Sequence, residues 1–166
     1  MEKNEKSYYE LIKSAIKYGD ASELGNAYRE NETFDQTLKR LRDRRRGKNI
    51  SKKDVAATVY FIIVEDKVVG TVDARSYLNE SYYADLGHIA YYIKPEERRK
   101  GYATKALGLV LKKYKQTNRI LVTCTKDNIG SAKAIEKNGG VLERIYLSKR
   151  FGVEIRRYWI NINDAK

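Results

Sequence analysis

A strand, a turn and a long helix follow one another between residues 88 and 114, and a second strand comes directly after them. The run HIAYYI at 88–93 is apolar enough for a buried strand. From Ala103 to Tyr114, apolar side chains recur with the spacing of an amphipathic helix, and residues 120–124 are the next strand candidate. A strand, helix and strand in this order bring two parallel strands together through a right-handed crossover. We therefore expect a sheet that contains a parallel pair.

Apolar patterns on both sides of this unit extend the sheet. From residue 57 onward the predicted order is β-β-β-α-β-α-β-β, with a hairpin over 59–74, a helix over 131–137 and a closing antiparallel pair over 141–162. The expected fold class is α+β (α/β-like), a mixed sheet flanked by helices.

Two helices are predicted before the sheet. Apolar spacing indicates one over 8–18, and a second begins at Thr33, where a glutamine three residues later can complete a capping box. No repeat or low-complexity segment is evident, and 166 residues fit one domain. We expect a single domain, 1–166, with a helical N-terminal part at 1–56 and the core sheet at 57–162.

Composition excludes several functional classes. The one cysteine, Cys124, cannot form an internal disulfide, and together with the one histidine, His88, it supplies too few soft ligands for an ordinary zinc site. We expect no metal. The polar N-terminus lacks a signal-peptide core, and no apolar run approaches the about 18 residues of a membrane span. We therefore expect a cytoplasmic protein without a membrane partner.

The formal net charge of +12 favours anionic partners: phosphate groups, nucleic acid or an acidic surface. The densest cationic stretch, residues 39–53, has nine Lys or Arg and one acid, Asp43. It lacks the interleaved aromatic side chains of many nucleic-acid sites, and a solvated helix end is the simpler interpretation. Nucleic-acid binding stays an alternative that we do not favour.

The turn between the strand at 88–93 and the long helix carries the strongest chemical signal. A strand that ends in a turn and opens a helix exposes backbone N–H groups at the positive end of the helix dipole, where anions bind. Gly101 removes a Cβ where backbone and ligand approach closely, and Arg98, Arg99 and Lys100 add charge. The alternative is an exposed basic first turn without a ligand.

Arg98-x-x-Gly101-x-Ala103, preceded by Ile93-x-Pro95, resembles motif A of the GNAT N-acetyltransferase superfamily. In that superfamily the motif binds the pyrophosphate of acyl-coenzyme A on backbone amides. The resemblance implies a mostly antiparallel sheet with a central parallel pair, and transfer of an acetyl group from acetyl-coenzyme A to an amine by direct attack on the thioester.

A second match follows downstream. The strand LVTCT, the segment that begins at Asn128 and the next helix are similar to the superfamily's next strand and helix, whose leading Asn contacts the pantetheine arm. The segments GHIAY at 87–91 and NGGVLE at 138–143 resemble a subgroup of small bacterial members. The resemblance covers roughly 57–162 and implies the following cofactor-binding residues: Tyr92, Ile93, Arg98, Arg99, Lys100, Gly101, Tyr102, Ala103, Thr104, Asn128 and Ser131.

Two positions depart from the superfamily pattern. Members commonly begin with a strand, which the polar residues 1–7 do not resemble. In many members a Tyr seven residues after the Asn protonates the departing thiolate, and here that position is Ile135.

The sequence therefore leaves the catalytic acid and base unassigned. His88 is our candidate for the base, because its ordinary pKa lies near working pH, and a hydrogen-bonded structural histidine is the alternative. Superfamily members often have a carboxylate near this point, and Asp85 lies just upstream. Tyr146 is a candidate substitute acid, and a backbone N–H near Tyr92 or Ile93 can polarise the thioester carbonyl.

Several alternatives accompany this hypothesis. The chain can be a coenzyme-binding protein without catalytic activity, as the missing tyrosine at Ile135 allows. Cys124 lies among apolar and threonine residues of a strand, so we interpret it as a core thiol rather than a nucleophile. The amine acceptor is unidentified, and a homodimer is one option for the assembly.

Overall fold

A six-stranded mixed sheet is the centre of the fold. The structure, a computed structural model, describes residues 2–115 and 117–162. The strands cross the sheet in the order β1-β2-β3-β4-β6-β5, and all neighbours are antiparallel except β3 and β4. This confirms the predicted order and the mixed sheet. Their bounds are β1 Ala57–Val64, β2 Lys67–Arg75, β3 Ile89–Ile93, β4 Arg119–Thr125, β5 Gly140–Leu147 and β6 Glu154–Asn161.

In the described part of the chain, four α-helices and three short helical turns precede the strands or connect them. The second helix begins as predicted: Thr33 accepts a hydrogen bond from the Gln36 N–H, and the Gln36 side chain accepts one from the Thr33 N–H. The helices are α1 Glu2–Lys17, α2 Phe34–Arg45, α3 Tyr102–Leu111 and α4 Ile129–Lys137, with 3₁₀ turns at Ala21–Ala27 and Pro95–Glu97 and a π-helical turn at Tyr82–Leu86.

The helices cover the sheet from both sides. We call the side under α3 and α4 the back face, where Leu107 and Leu111 pack on Ile89 and Val122. The side under α1 and α2 is the front face, where the core includes Tyr8, Leu11, Phe34, Val68 and Tyr92. Successive strand residues point to opposite faces, so Tyr91 belongs to the back and Tyr92 to the front.

A buried arginine joins the front-face elements. Arg44, at the end of α2, is 2% exposed. Its guanidinium contacts Asp73 of β2 at 2.8 Å and Asp54 of the following loop at 3.1 Å, and Asp54 also accepts a 2.6 Å hydrogen bond from the Tyr82 hydroxyl. The cationic stretch 39–53, which the sequence suggests is a solvated helix end, therefore contains the buried residue that links α2, β2 and the π-helical turn.

The N-terminal elements differ from the predicted start of the first helix and from the common superfamily pattern. The first helix begins at Glu2 rather than near residue 8, so its first turns are polar. In the described part of the chain no strand precedes it, and β1 forms the edge of the sheet. Among the described helices, none is both long and apolar enough to cross a membrane.

Candidate active site

The two parallel strands separate at the centre of the sheet. Within the described residues one register pair, Ile89 with Val122, joins β3 to β4. Just before it, the His88 N–H donates to the Leu121 carbonyl at 2.7 Å. The carboxyl halves of the two strands, up to Ile93 and Thr125, therefore leave an opening between them.

The backbone of β3 presents hydrogen-bonding groups to this opening. The Lys94 N–H donates to the Val69 carbonyl, and donors alternate between the two edges of a strand. Tyr92 therefore bonds to β2, and the N–H of Ile93 faces β4. A Cβ on Gly70 would lie 2.2 Å from the Tyr92 carbonyl oxygen, in agreement with that direction. Of the two predicted oxyanion donors, Ile93 is the one with its N–H toward the opening.

In the basic turn after β3, Arg98 makes the contacts that hold the turn in shape. The Arg98 Nε donates to the Ile93 carbonyl at 2.9 Å, and Nη2 contacts the Asp20 carboxylate. The Lys100 ammonium lies 2.8 Å from Glu97. Arg99 is exposed in a left-handed conformation, with no ion pair among the described residues. Arg98 thus shapes the turn, while Arg99 is left to attract an anion.

The start of α3 is an open cradle of backbone donors. Gly101 is the N-cap at φ 80°, and no side chain caps the helix. The first intrahelical bond shown here runs from the Lys105 N–H to the Gly101 carbonyl, so the N–H groups of Tyr102, Ala103 and Thr104 precede the helical ladder. Nothing lies within 4 Å of a Cβ built on Gly101. This is the geometry that a phosphate group requires.

Polar side chains bridge β3 and α4 on the back face. The Tyr91 hydroxyl and Ser131 Oγ are 2.6 Å apart, and Asn128 caps α4 by accepting from the Ser131 N–H at 2.9 Å. Burial raises the pKa of Tyr91. Ile135 is fully buried and contacts Gly140, so the position of the missing tyrosine belongs to the core.

His88 lies at the start of the opening, but its ring is already engaged by neighbouring residues. Its Nδ1 accepts a 3.0 Å hydrogen bond from the Leu121 N–H, and its ring meets Tyr114 edge-on. Burial lowers the pKa of His88 to about 4. The ring is therefore neutral at pH 7 and the lone pair of Nδ1 is used. The base role of His88 stays a prediction, and this geometry favours the structural alternative.

Asp85 and Tyr146 lie together on the front face. The Thr123 hydroxyl donates to the Asp85 carbonyl at 2.8 Å, which places Asp85 beside β4 where the opening begins. The single proton of the Tyr146 hydroxyl is shared between the Asp85 carboxylate, at 3.0 Å, and the Ala84 carbonyl. Burial raises the pKa of Tyr146, and the hydrogen bond with the Asp85 carboxylate raises it further. In the sequence, Asp85 is indicated by its place just before β3, near the point where superfamily members often have a carboxylate.

A buried arginine holds the segment that carries Asp85. Arg157 of β6 is 2% exposed, and its guanidinium donates to the Tyr83 carbonyl and pairs with Glu143. The Tyr83 ring also stacks 4.5 Å from that guanidinium. No cluster of His, Cys, Asp and Glu suited to a metal ion occurs in the part of the chain that the structure describes.

Comparisons with known proteins agree with this arrangement. A family profile described as "Acetyltransferase (GNAT) domain" matches residues 14–141. No curated protein matches the sequence significantly.

Three solved structures show the fold. The Bacillus anthracis GNAT-family acetyltransferase is 27% identical with a TM-score of 0.51, over 61% of this chain and 63% of that one. The ribosomal-protein-S5-alanine acetyltransferase of Vibrio fischeri is 15% identical with a TM-score of 0.65, over 98% and 92%. The Microcin C7 self immunity acetyltransferase MccE, in complex with acetyl-CoA and AMP, is 17% identical with a TM-score of 0.62, over 93% and 84%. Because one family profile matches most of the sequence, the chain belongs to the GNAT acetyltransferase family.

Proposed function

We propose that this protein transfers the acetyl group of acetyl-coenzyme A to an amine by direct attack of the amine on the thioester. The observation that carries the proposal is the uncapped start of α3 beside the opening between β3 and β4. The backbone N–H groups at the start of α3 are therefore next to the edge of β3 that faces the opening. The MccE structure, which contains acetyl-CoA, supports the same ligand for this chain.

The residues present fit this co-substrate. The N–H groups of Tyr102, Ala103 and Thr104 would hold the pyrophosphate, with Arg99 and Lys100 at the rim. Gly101 adopts the left-handed conformation that the turn needs.

The pantetheine arm and the acyl group would use the opening itself. The edge of β3 and the amide of Asn128 would hold the arm, and the N–H of Ile93 would polarise the acyl carbonyl. The bound co-substrate supplies an activated thioester.

The acceptor amine must lose its proton before it attacks. A lysine-like amine has about 0.1% free base near pH 7.4, which costs about 4 kcal/mol. Asp85 is the carboxylate placed to receive that proton, directly or through water, because it lies on the front face beside β4. Tyr146 orients it through their 3.0 Å hydrogen bond. His88 is a weak base with Nδ1 already in use.

The departing thiolate needs a proton in turn. When nitrogen bonds to the acyl carbon, the carbon–sulfur bond breaks and sulfur takes the electron pair. The hydroxyl pair of Tyr91 and Ser131 bridges β3 and α4 beside the opening and can deliver a proton there. We assign this pair the role that the position of Ile135 does not fill.

The direct test is calorimetric titration with acetyl-coenzyme A, followed by release of free thiol in the presence of a panel of amines and peptides. The proposal requires saturable binding and amine-dependent thiol release. Absence of acetyl-coenzyme A binding to the folded protein would refute it.

A further inference from the structure

A basic cavity lies on the front face beside the π-helical turn. Its volume is about 440 Å³, within the range of small-ligand pockets. Three separate segments meet around it: the loop before β1, the segment before β3 and the β5–β6 hairpin. The residues that line it are Lys53, Asn79, Glu80, Ser81, Tyr82 and Arg150.

The two cations of the cavity have no carboxylate partner in the part of the chain that the structure describes. Lys53 and Arg150 are exposed, and neither takes part in an ion pair within the described residues. The Arg150 guanidinium donates to the neutral Ser81 hydroxyl, which orients it and leaves its charge intact. Glu80 is the one acid of the lining. A carboxylate entering the cavity would therefore meet a net positive surface.

Beyond the cavity the positive surface continues along the loop and the end of α2. Within the 39–53 stretch, Arg40 pairs with Glu32, and Arg44 pairs with Asp54 and Asp73. The remaining cations are exposed. Those nearest in sequence to Lys53 form what we call the basic rim: Arg45, Arg46, Lys48 and Lys52.

The cavity and the candidate base share one structural element. Tyr82 lines the cavity, and Asp85 follows three residues later on the same π-helical turn, Tyr82–Leu86. An acceptor whose amine reaches Asp85 therefore has its neighbouring groups close to Lys53 and Arg150. The Tyr82 hydroxyl is fixed on Asp54, so this wall is tied to the loop that carries Lys53.

We propose that the acceptor is the amine of an acidic polypeptide segment. Carboxylates close to the amine bind Lys53 and Arg150, and those further along the chain lie over the basic rim. This inference rests on the proposed function and names its substrate class. A polypeptide accounts for cations that extend beyond the cavity, and the 39–53 stretch has no aromatic residue on which a nucleic-acid base would stack.

The test is fluorescence anisotropy on the full chain saturated with coenzyme A. The probe is a dye-labelled ten-residue peptide with a free N-terminus and Glu at positions 2–5, compared with a counterpart that has Gln at those positions. We expect the Glu peptide to bind at least tenfold more tightly at low ionic strength and to lose this advantage as salt screens the charges. Equal affinity for the two peptides would overturn the inference.

Matched charge reversals locate the binding surface. K53E/R150E should weaken Glu-peptide binding about tenfold or more, and R45E/R46E by a few fold, because exposed pairs contribute modestly each. The control K112E/K113E makes the same change of charge at exposed residues after α3 and should stay within about twofold. An effect of K53E/R150E no larger than the control's would contradict the inference. Tighter binding of a ten-nucleotide RNA, lost in the same variant, would assign the surface to nucleic acid instead.

Thiol release separates this inference from the proposed function. Acetylation of the Glu peptide with a higher kcat/KM than the Gln peptide supports both. Acetylation of both peptides with equal efficiency refutes the acidic acceptor and keeps the transferase. If the protein does not bind acetyl-coenzyme A but still prefers the Glu peptide, the proposed transferase function is refuted and the acidic-peptide surface is kept.

Discussion

The Tyr91 hydroxyl lies 2.6 Å from Ser131 Oγ and so joins β3 to α4 on the back face of the sheet. Tyr91 belongs to β3, and Ser131 to the first turn of α4, which Asn128 caps. A proton can therefore pass between hydroxyls beside the site proposed for the thioester sulfur. The pair therefore joins two elements of the back face and holds the two hydroxyls to which we assign the proton transfer.

Removing the Tyr91 hydroxyl should slow the transfer without weakening acetyl-coenzyme A binding. We expect Tyr91→Phe to lower kcat by about 10–100-fold, within or just below the range of general-acid effects, with an unchanged dissociation constant. Tyr158→Phe is the control, because it removes a back-face hydroxyl bound to Glu136 rather than one at the opening. Stopped-flow thiol release and calorimetry measure the two quantities, and equal kcat values in the two variants would dismiss the relay.

Asp85 should matter most at neutral pH. Asp85→Asn removes the carboxylate proposed to take the amine proton, and we expect kcat/KM to fall about 100-fold at pH 7. The deficit should shrink as pH rises toward the pKa of the acceptor amine, because the free base then forms unaided. The exposed Asp127→Asn is the control. A deficit that is the same from pH 7 to pH 9.5 would speak against a base role.

His88 should affect stability in acid rather than catalysis. Its pKa of about 4 in the folded chain lies below the ordinary value of 6.5, so the unfolded chain binds more protons between these pH values. The stabilisation is present above pH 6.5 and is lost as pH falls toward 4. The full shift corresponds to about 3 kcal/mol, and partial exposure reduces the expected loss to about 1–2 kcal/mol.

The variant His88→Asn keeps a hydrogen-bond acceptor near the Nδ1 position and removes the ionisation. Urea unfolding at pH 4.5 and pH 7 should therefore show a smaller pH-dependent loss in the variant than in the parent. A pH profile of kcat/KM with a His88-dependent rise near pH 6.5 would restore the histidine as the base.

Arg44 is expected to be a stability residue. Arg44→Met leaves Asp54 without its cation and leaves Asp73 with only the more distant Arg75, at 3.9 Å, and we expect unfolding to become easier by about 3–5 kcal/mol. Arg45→Met, one residue along and exposed, should change stability by less than about 0.5 kcal/mol. Chemical denaturation of both variants checks this, and similar midpoints would mean that the buried network contributes little.

Much of the fold could be predicted because its elements have regular apolar periods. Local spacing predicts the strand–helix–strand unit around α3 and the capping box at Thr33. The tertiary packing keeps both. The basic turn after β3 could be predicted for the same reason, because Gly101 and the cations before it are contiguous in sequence.

The front of the site could not be read in this way. The segment from residue 76 to Gly87 has no apolar period, and its π-helical turn is held by Arg157, which lies 74 residues after its partner Tyr83. Arg44 resembles its exposed neighbours in sequence, and only the fold brings Asp54 and Asp73 to it. Asp85 and Tyr146 likewise become partners through contacts between distant segments.

The measurement that tests the account most directly is the affinity of Gly101→Asp for acetyl-coenzyme A, set against Gly152→Asp. Both glycines have a left-handed φ and open space where a side chain would go, so the two variants carry matched backbone strain and charge. By calorimetry, we predict at least a hundredfold loss of affinity for Gly101→Asp, because a carboxylate would then stand in the anion cradle, and parental affinity for Gly152→Asp. Parental affinity in a folded Gly101→Asp variant would contradict the assignment of this turn as the coenzyme site.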